Sequence, residues 1–249
     1  MMLPTHQIPP PLRPTAAKVL PPAVAAELEE LSQQPAAQLS AIGEFIAGPD
    51  IPSWTVDTIQ RILTDPDHLA EIAQQSFAHP NGFDCIPLEN RHPSYRVRLH
   101  VWWPEAELVT EDVHNHAWSF ASRVLSGDLK FQTYRASNTG QRYFHYPWRI
   151  GDRGTYDGGA VKTVNLAIVL NACFTENMHY TFDLDEIHRV APVKTERPVG
   201  TLVVLGKMQR DGSDVYTENA RHGAGYRLLK DPYSPGRLAD RLHRYLEFL

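Results

Sequence analysis

Two histidines stand two residues apart in the stretch "EDVHNHAWSFASRVLSGDL", residues 111–129. Residues two apart on a strand point to the same face, so a strand through 113–119 presents His114 and His116 together. Two neutral imidazoles so placed can occupy neighbouring positions around one metal ion. A third ligand must come from elsewhere. His188 in "LDEIHRVAP" is the best candidate, because a strand-like run follows the acidic turn "DLDE". His179 in "NMHYTF" is the second. The ordinary reading stands beside this one, since twelve histidines in 249 residues make one such pair unsurprising.

Other groups carry chemistry only in context. Arg98 shares a face with His100, and its guanidinium either grips a carboxylate bidentately or forms an outward salt bridge. Tyr180 faces the metal or fills the core. Trp102, Trp103, Trp118 and Trp148 read as packing rather than a substrate cage. Glu176 in "TEN" reads as solvated, and Cys173 in "VLNACF" as a small buried hydrophobe. A nucleophilic hydrolase is disfavoured, because no G-x-S-x-G elbow is present and neither cysteine adjoins a partner histidine. "GDRGTYDGG" lacks the lysine of a phosphate loop and reads as a loop near the mouth of the fold.

The elements that would position these groups fall into two textures. Residues 1–15 hold five prolines and little apolar pattern, which predicts an extended arm. From residue 16 to 80 the chain reads as helical. "PPAVAAELEELSQQ" and "PAAQLSAIGEFIAG" begin on prolines suited to a helix start, "SWTVDTIQRIL" offers Ser53 as an N-cap, and Asp65 precedes Pro66 in "DPDHLAEIAQQSF". From 81 to 232 the texture is β. "YRVRLHVWW" (95–103) alternates and is rich in β-branched and aromatic residues, and similar runs follow at short spacing. "ASNTGQR" predicts a hairpin turn, with Asn138 and Gly140 tolerant of positive φ. A helix over 233–249 closes the chain. Helices and strands are segregated rather than alternating, which argues against a parallel βαβ sheet and for an antiparallel β-barrel with a helical N-terminal region.

Bulk properties narrow the class. Hydrophobic residues at 42% and charged residues at 21% fit a folded globular chain. A net charge of −5 argues against a nucleic-acid partner. No apolar run of membrane-spanning length or secretory h-region is present, and two cysteines in no CxxC pair exclude a disulfide framework. The expectation is a cytoplasmic monomer or homodimer, with no membrane partner.

"HNHAWSFASRVLSGDL" resembles the first motif of the cupin superfamily, with Gly127 in its expected place and the frequent glutamate ligand replaced by the Ser119–Ala121 stretch. "DLDEIHRVAP" resembles the second motif through His188. Over residues 95–206 the order of features is similar to the cysteine-dioxygenase-type cupins, in which helices precede the barrel and "GDL" opens the strand after the histidine pair. The resemblance implies a cupin jelly roll in which His114, His116 and His188 hold ferrous iron. It also implies a substrate arginine, for which Arg91, Arg96 and Arg98 are loose counterparts. The family's Ser-x-His-x-Tyr set does not carry over, because "VGTLVVLGKM" supplies only Thr201, and Ala121 stands near the place of the crosslinking cysteine. The expected activity is therefore that of a mononuclear non-haem iron(II) oxygenase acting on a small organic substrate with dioxygen, but not on cysteine. The alternatives are a non-redox isomerase, lyase or hydrolase using zinc, nickel or manganese, or a small-ligand-binding cupin without catalysis. Tyr180 and His179 are the candidate catalytic groups, and with Glu176 they are the bases a non-redox reaction would draw on.

Overall fold

The computed structural model describes residues 19–107, 109–150, 156–158, 162–191, 196–220 and 231–249. The expected arm, residues 1–15, and most of "GDRGTYDGG" lie outside them. Four helices come first: α1 (Pro22–Glu30), α2 (Pro35–Ala47), α3 (Ile51–Thr64) and α4 (Pro66–Ala73). Each carries proline in its first two positions, where the missing N–H would have had no helical partner. Asp65 caps α4 by accepting from the Asp67 and His68 amides. Ser53, expected as a cap, lies inside α3 and donates to the Asp50 carbonyl (2.9 Å); Pro52 allows the helix to start one turn earlier.

The strands are β1 (Phe77–His79), β2 (Phe83–Glu89), β3 (Arg96–Trp102), β4 (Val113–His114), β5 (Phe120–Ser126), β6 (Leu129–Ile150), β7 (Tyr156–Gly158), β8 (Lys162–Phe174), β9 (His179–Phe182), β10 (Ile187–Val190), β11 (Val199–Leu205) and β12 (Gly212–Thr217), followed by α5 (Pro235–Leu246). One sheet runs β1-β2-β3-β11-β5-β9. The other runs β10-β4-β12-β6-β7, with β8 paired to β6. Every pairing in the two sheets is antiparallel. The chain is thus mainly β, a jelly-roll barrel with a helical N-terminal region. No helix among the described residues is long and apolar enough to cross a membrane.

The first sheet is covered on both faces, and the period of two decides which residue goes where. On β3, Val97, Leu99 and Val101 are fully buried and share a core with Ile42, Ile46, Ile59 and Ile62 of the helices. Leu202 and Val204 of β11 join them, together with Leu238 and Leu242 of α5. The alternate residues of β11, Val199, Val203 and Leu205, pack inside the barrel with Phe120, Phe131 and Phe182. Arg98, His100 and Trp102 of β3 therefore face the barrel interior.

Polar side chains fasten the layers. Gln38 of α2 donates to the Leu28 and Ser94 carbonyls and accepts from the Lys207 amide. Asp84 accepts from Trp103 Nε1 (2.7 Å) and from the Tyr233 hydroxyl, anchoring the segment before α5. Arg123, buried on β5, donates to the Ile46 and Gly48 carbonyls at the end of α2 and to Asn177, placing a cation where the helix dipole is negative. Arg123→Met is expected to lower stability by about 3 kcal/mol, since it leaves one buried and one part-buried carbonyl without this donor. Urea unfolding checks this, and metal content should stay unchanged.

Two expectations are corrected in the second sheet. "ASNTGQR" is not a hairpin: Ala136 and Gln141 both pair with Leu166, so residues 137–140 bulge from one continuous strand. Both arms of β6 pair with the same strand, so the chain never reverses. Gly140 is needed for close approach rather than for positive φ, since a Cβ there would lie 2.4 Å from the Leu166 carbonyl. Cys173 is exposed, not buried, because β8 pairs only with β6 among the described residues and much of it faces solvent.

Candidate metal centre

β4 and β10 are adjacent, and their register places His114 directly opposite His188. His116 follows just beyond β4. The three rings lie 4.7–5.0 Å apart between centroids, and one nitrogen from each lies within 4.8 Å of the others. Among the described residues this is the only group of three histidine, cysteine or acidic side chains so gathered.

The hydrogen bonds determine what these rings can do. Nδ1 of His114 meets the Asp112 carbonyl at 2.8 Å, and Nδ1 of His188 meets the Glu186 carbonyl at 2.9 Å. A carbonyl can only accept, so each Nδ1 carries the proton and each Nε2 keeps its lone pair for a metal. The two rings share one local device, a bond to the carbonyl two residues upstream. Burial and the neighbouring His114 hold His188 down to about 3. Burial first, then the other two histidines and Arg98, hold His116 well below the usual imidazole range. Neutral rings are what a cation requires.

Aromatic packing orients them. His188 stacks on Phe182 and Phe131, both with centroids at 5.3 Å, while His116 stacks on Trp118 at 5.4 Å. The backbone is clamped by residues that local sequence patterns do not single out. Asn115, between the two histidines, accepts from the Asp214 amide and donates to its carboxylate. Arg210 donates to the carbonyls of both His116 and Leu184. Glu111, buried, accepts from the Val190 amide (2.6 Å) and from Asn81 (2.7 Å), tying β10 to the segment entering β4. Nothing in the sequence pairs 111 with 190; its one mark is a carboxylate three residues before His114. Glu111→Ala is expected to destabilise the protein by about 2 kcal/mol through the unpaired Val190 amide, and hydrogen exchange should show Val190 opening before the rest of the barrel.

The three histidines line a cavity of about 340 Å³ inside the barrel. Tyr180 also lines it, and burial pushes its phenol well above the usual value. Arg98 lines it as well, correcting the outward salt-bridge alternative. Arg96 lies over the Trp118 ring at 4.2 Å, outside the lining. Arg91 is elsewhere, paired with Glu71 of α4 at 2.8 Å on the surface. His179 is also displaced: the alternation of β9 turns Tyr180 and Phe182 inward and leaves His179 exposed. Trp102, Trp118 and Trp148 line the cavity, so they are more than barrel packing, whereas Trp103 packs with the helices. Glu176 is exposed and pairs with Arg197.

No protein-family model and no curated protein matches the chain. Among solved structures it is similar to an oxalate oxidase, with a TM-score of 0.35 and 12% identity over 55% of this chain and 56% of that one. It is also similar to a hydroquinone 1,2-dioxygenase from Sphingomonas sp. TTNP3 with 4-hydroxybenzoate bound, with a TM-score of 0.31 and 10% identity over 52% and 68%. A third is an uncharacterised conserved protein with a double-stranded β-helix domain from Klebsiella pneumoniae, with a TM-score of 0.32 and 10% identity over 57% and 92%. The match spans just over half the length of the oxalate oxidase chain.

Proposed function

We propose that the protein is a mononuclear iron(II) oxygenase, acting with dioxygen on a small organic substrate bound in the barrel cavity. The observation that carries this reading is the set of three imidazoles, two with Nδ1 fixed on carbonyls, gathered at one wall of an aromatic-lined cavity. His114, His116 and His188 would hold the ion and leave about three positions open in octahedral geometry. Iron so held supplies Lewis acidity and one-electron chemistry toward dioxygen. The chain's own part is orientation and exclusion of water. The phenyl rings of Phe131 and Phe182 fix His188, and Tyr180, on the cavity lining, is held protonated by burial. Arg98 is the candidate substrate-binding arginine.

The non-redox alternative needs a general base beside the ion. Of the bases the sequence offers, Tyr180 is held protonated and His179 and Glu176 are exposed outside the cavity; both oxygens of Glu111 are engaged, which leaves Asp112 and His100 as the basic groups of the lining. Oxygen chemistry makes no such demand on the protein, and for that reason we favour it.

Elemental mass spectrometry on the wild type and His116→Ala, purified side by side without chelator, tests the reading. The expected result is iron near one per chain, lost in the variant, with substrate-dependent oxygen uptake in the wild type alone. Zinc, nickel or manganese in that ratio would replace iron with a Lewis-acid ion and overturn the oxygenase assignment. Equal, substoichiometric metal in both proteins would overturn the metal centre itself.

A further inference from the structure

Three buried nitrogens in the same cavity have no protein acceptor among the described residues: Arg98 Nε, His100 Nε2 and Trp118 Nε1. Buried polar groups are paired in roughly 90% of cases or more, so three unpaired nitrogens lining one cavity require a common explanation. No carboxylate forms an ion pair with Arg98 among the described residues. Arg98 and His100 project from the same face of β3, and the Arg98 guanidinium lies 5.8 Å from the centre of the Trp118 ring. Trp118 in turn stacks on the metal-ligand candidate His116. The three residues therefore line the same cavity as the candidate centre, with Trp118 in contact with both Arg98 and His116.

The remaining surface is aromatic. Phe83 packs against His100 at 4.6 Å and Trp102 at 4.8 Å, and Phe120 and Phe131 line the cavity too. A volume of about 340 Å³ lies at the small end of ligand pockets, ~300–1,000 Å³. An inorganic anion would satisfy the donors and leave the aromatic wall uncovered, and a neutral arene would do the reverse.

We propose that Arg98, His100 and Trp118 form an anion subsite that holds the carboxylate of a small aromatic acid, with its ring against Phe83 and Trp102. As a statement about substrate class this rests on the metal-centre reading above. The subsite itself is made of protein groups alone, so it can be tested without metal. Arg98 supplies the charge, and the indole N–H and the neutral imidazole each supply one donor. A carboxylate offers four lone-pair directions to meet them.

The test is calorimetric titration of the full-length protein, stripped of metal, with benzoate as the probe. Saturable binding at one site is expected, with benzamide at least about 10-fold weaker, because it lacks the charge that Arg98 meets. Arg98→Gln should weaken benzoate about 10- to 100-fold, and Trp118→Phe, which removes the indole N–H together with part of the ring, several-fold. Metal content of the protein as purified is measured separately from benzoate binding to the stripped protein, so a failed metal centre and a failed subsite give different results. Equal affinity for benzoate and benzamide, or an unchanged constant in a folded Arg98→Gln, would overturn the subsite. Acetate binding as tightly as benzoate would overturn the aromatic class. Should Arg98→Gln fail to fold, Trp118→Phe decides the question: no change in its benzoate affinity counts against the proposal.

Discussion

Ferrous iron added anaerobically to the metal-free protein is expected to raise its thermal unfolding midpoint by about 10 °C, and His188→Ala is expected to show no rise. An ion that binds only the folded state adds about 4 kcal/mol at a thousand times its dissociation constant. For a chain of this size each kcal/mol moves the midpoint by about 2–4 °C. His188 is the sharpest of the three positions to remove. Its ring is buried, packed against both Phe131 and Phe182, and fixed through Nδ1 on the Glu186 carbonyl. Alanine there also leaves a cavity beside two phenyl rings, which by itself destabilises by about 2–4 kcal/mol. The quantity that decides is therefore the metal-induced shift measured within each protein, not the midpoint of the variant. Equal shifts in the two proteins would place the ion at some other site. A shift in the wild type with zinc but none with iron would keep the site and change its occupant.

How much of this arrangement could be read beforehand depends on whether a residue's partner is near in sequence. The alternation of β3 was legible, and with it the shared face of Arg98 and His100, because side-chain direction in a strand follows from neighbours two apart. The pairing of His114 and His116 was legible for a related reason, although the structure puts His116 just past β4 rather than within it. His188 stands out by the strand-like run after its acidic turn and by the family resemblance, but its place opposite His114 is a matter of register between β4 and β10, a long-range property. Long-range partners explain the omissions. Asn115 finds Asp214, Arg210 finds the His116 carbonyl, and Glu111 finds the Val190 amide, each across many tens of residues. No local pattern encodes those contacts. The errors have equally local causes. The sequence offers His179 and Tyr180 together as candidates, but adjacent residues on β9 point to opposite faces. "SNTG" has turn chemistry, yet its flanks pair with one strand and the four residues are extruded as a bulge. Arg91 lies in a loop, where no period assigns a direction, and Glu71 of a helix claims it.

Acidification of the metal-free protein from pH 7 to pH 5 is expected to lower its unfolding free energy steeply, and His188→Gln to flatten that dependence. His188 has a folded-state value of about 3, against 6.5 in the unfolded chain, because burial and His114 disfavour its charged form. Between those two values the unfolded chain binds a proton that the folded chain does not, so stability rises with pH across that window. The contribution is fully present above about pH 6.5 and is lost as pH falls towards 3. At about 1.4 kcal/mol per pH unit, the gap amounts to roughly 5 kcal/mol, of which about 2 kcal/mol is lost by pH 5. His116 and His100 are depressed in the same direction by burial and add to the slope. Glu105, lowered to about 2 by its bond to Arg244, titrates below 4.5 and is largely exposed, so it contributes little in the upper window. Urea unfolding at half-unit pH intervals separates the two. A loss concentrated between pH 6.5 and 5 and reduced in His188→Gln belongs to the buried imidazoles. A loss confined below pH 4.5, or one identical in the variant, would mean that His188 is not held neutral by the fold. With the ion bound, the same protons compete directly with the metal, so the holoprotein should lose stability over the same window and release its ion there, a release that a colorimetric chelator can follow alongside unfolding.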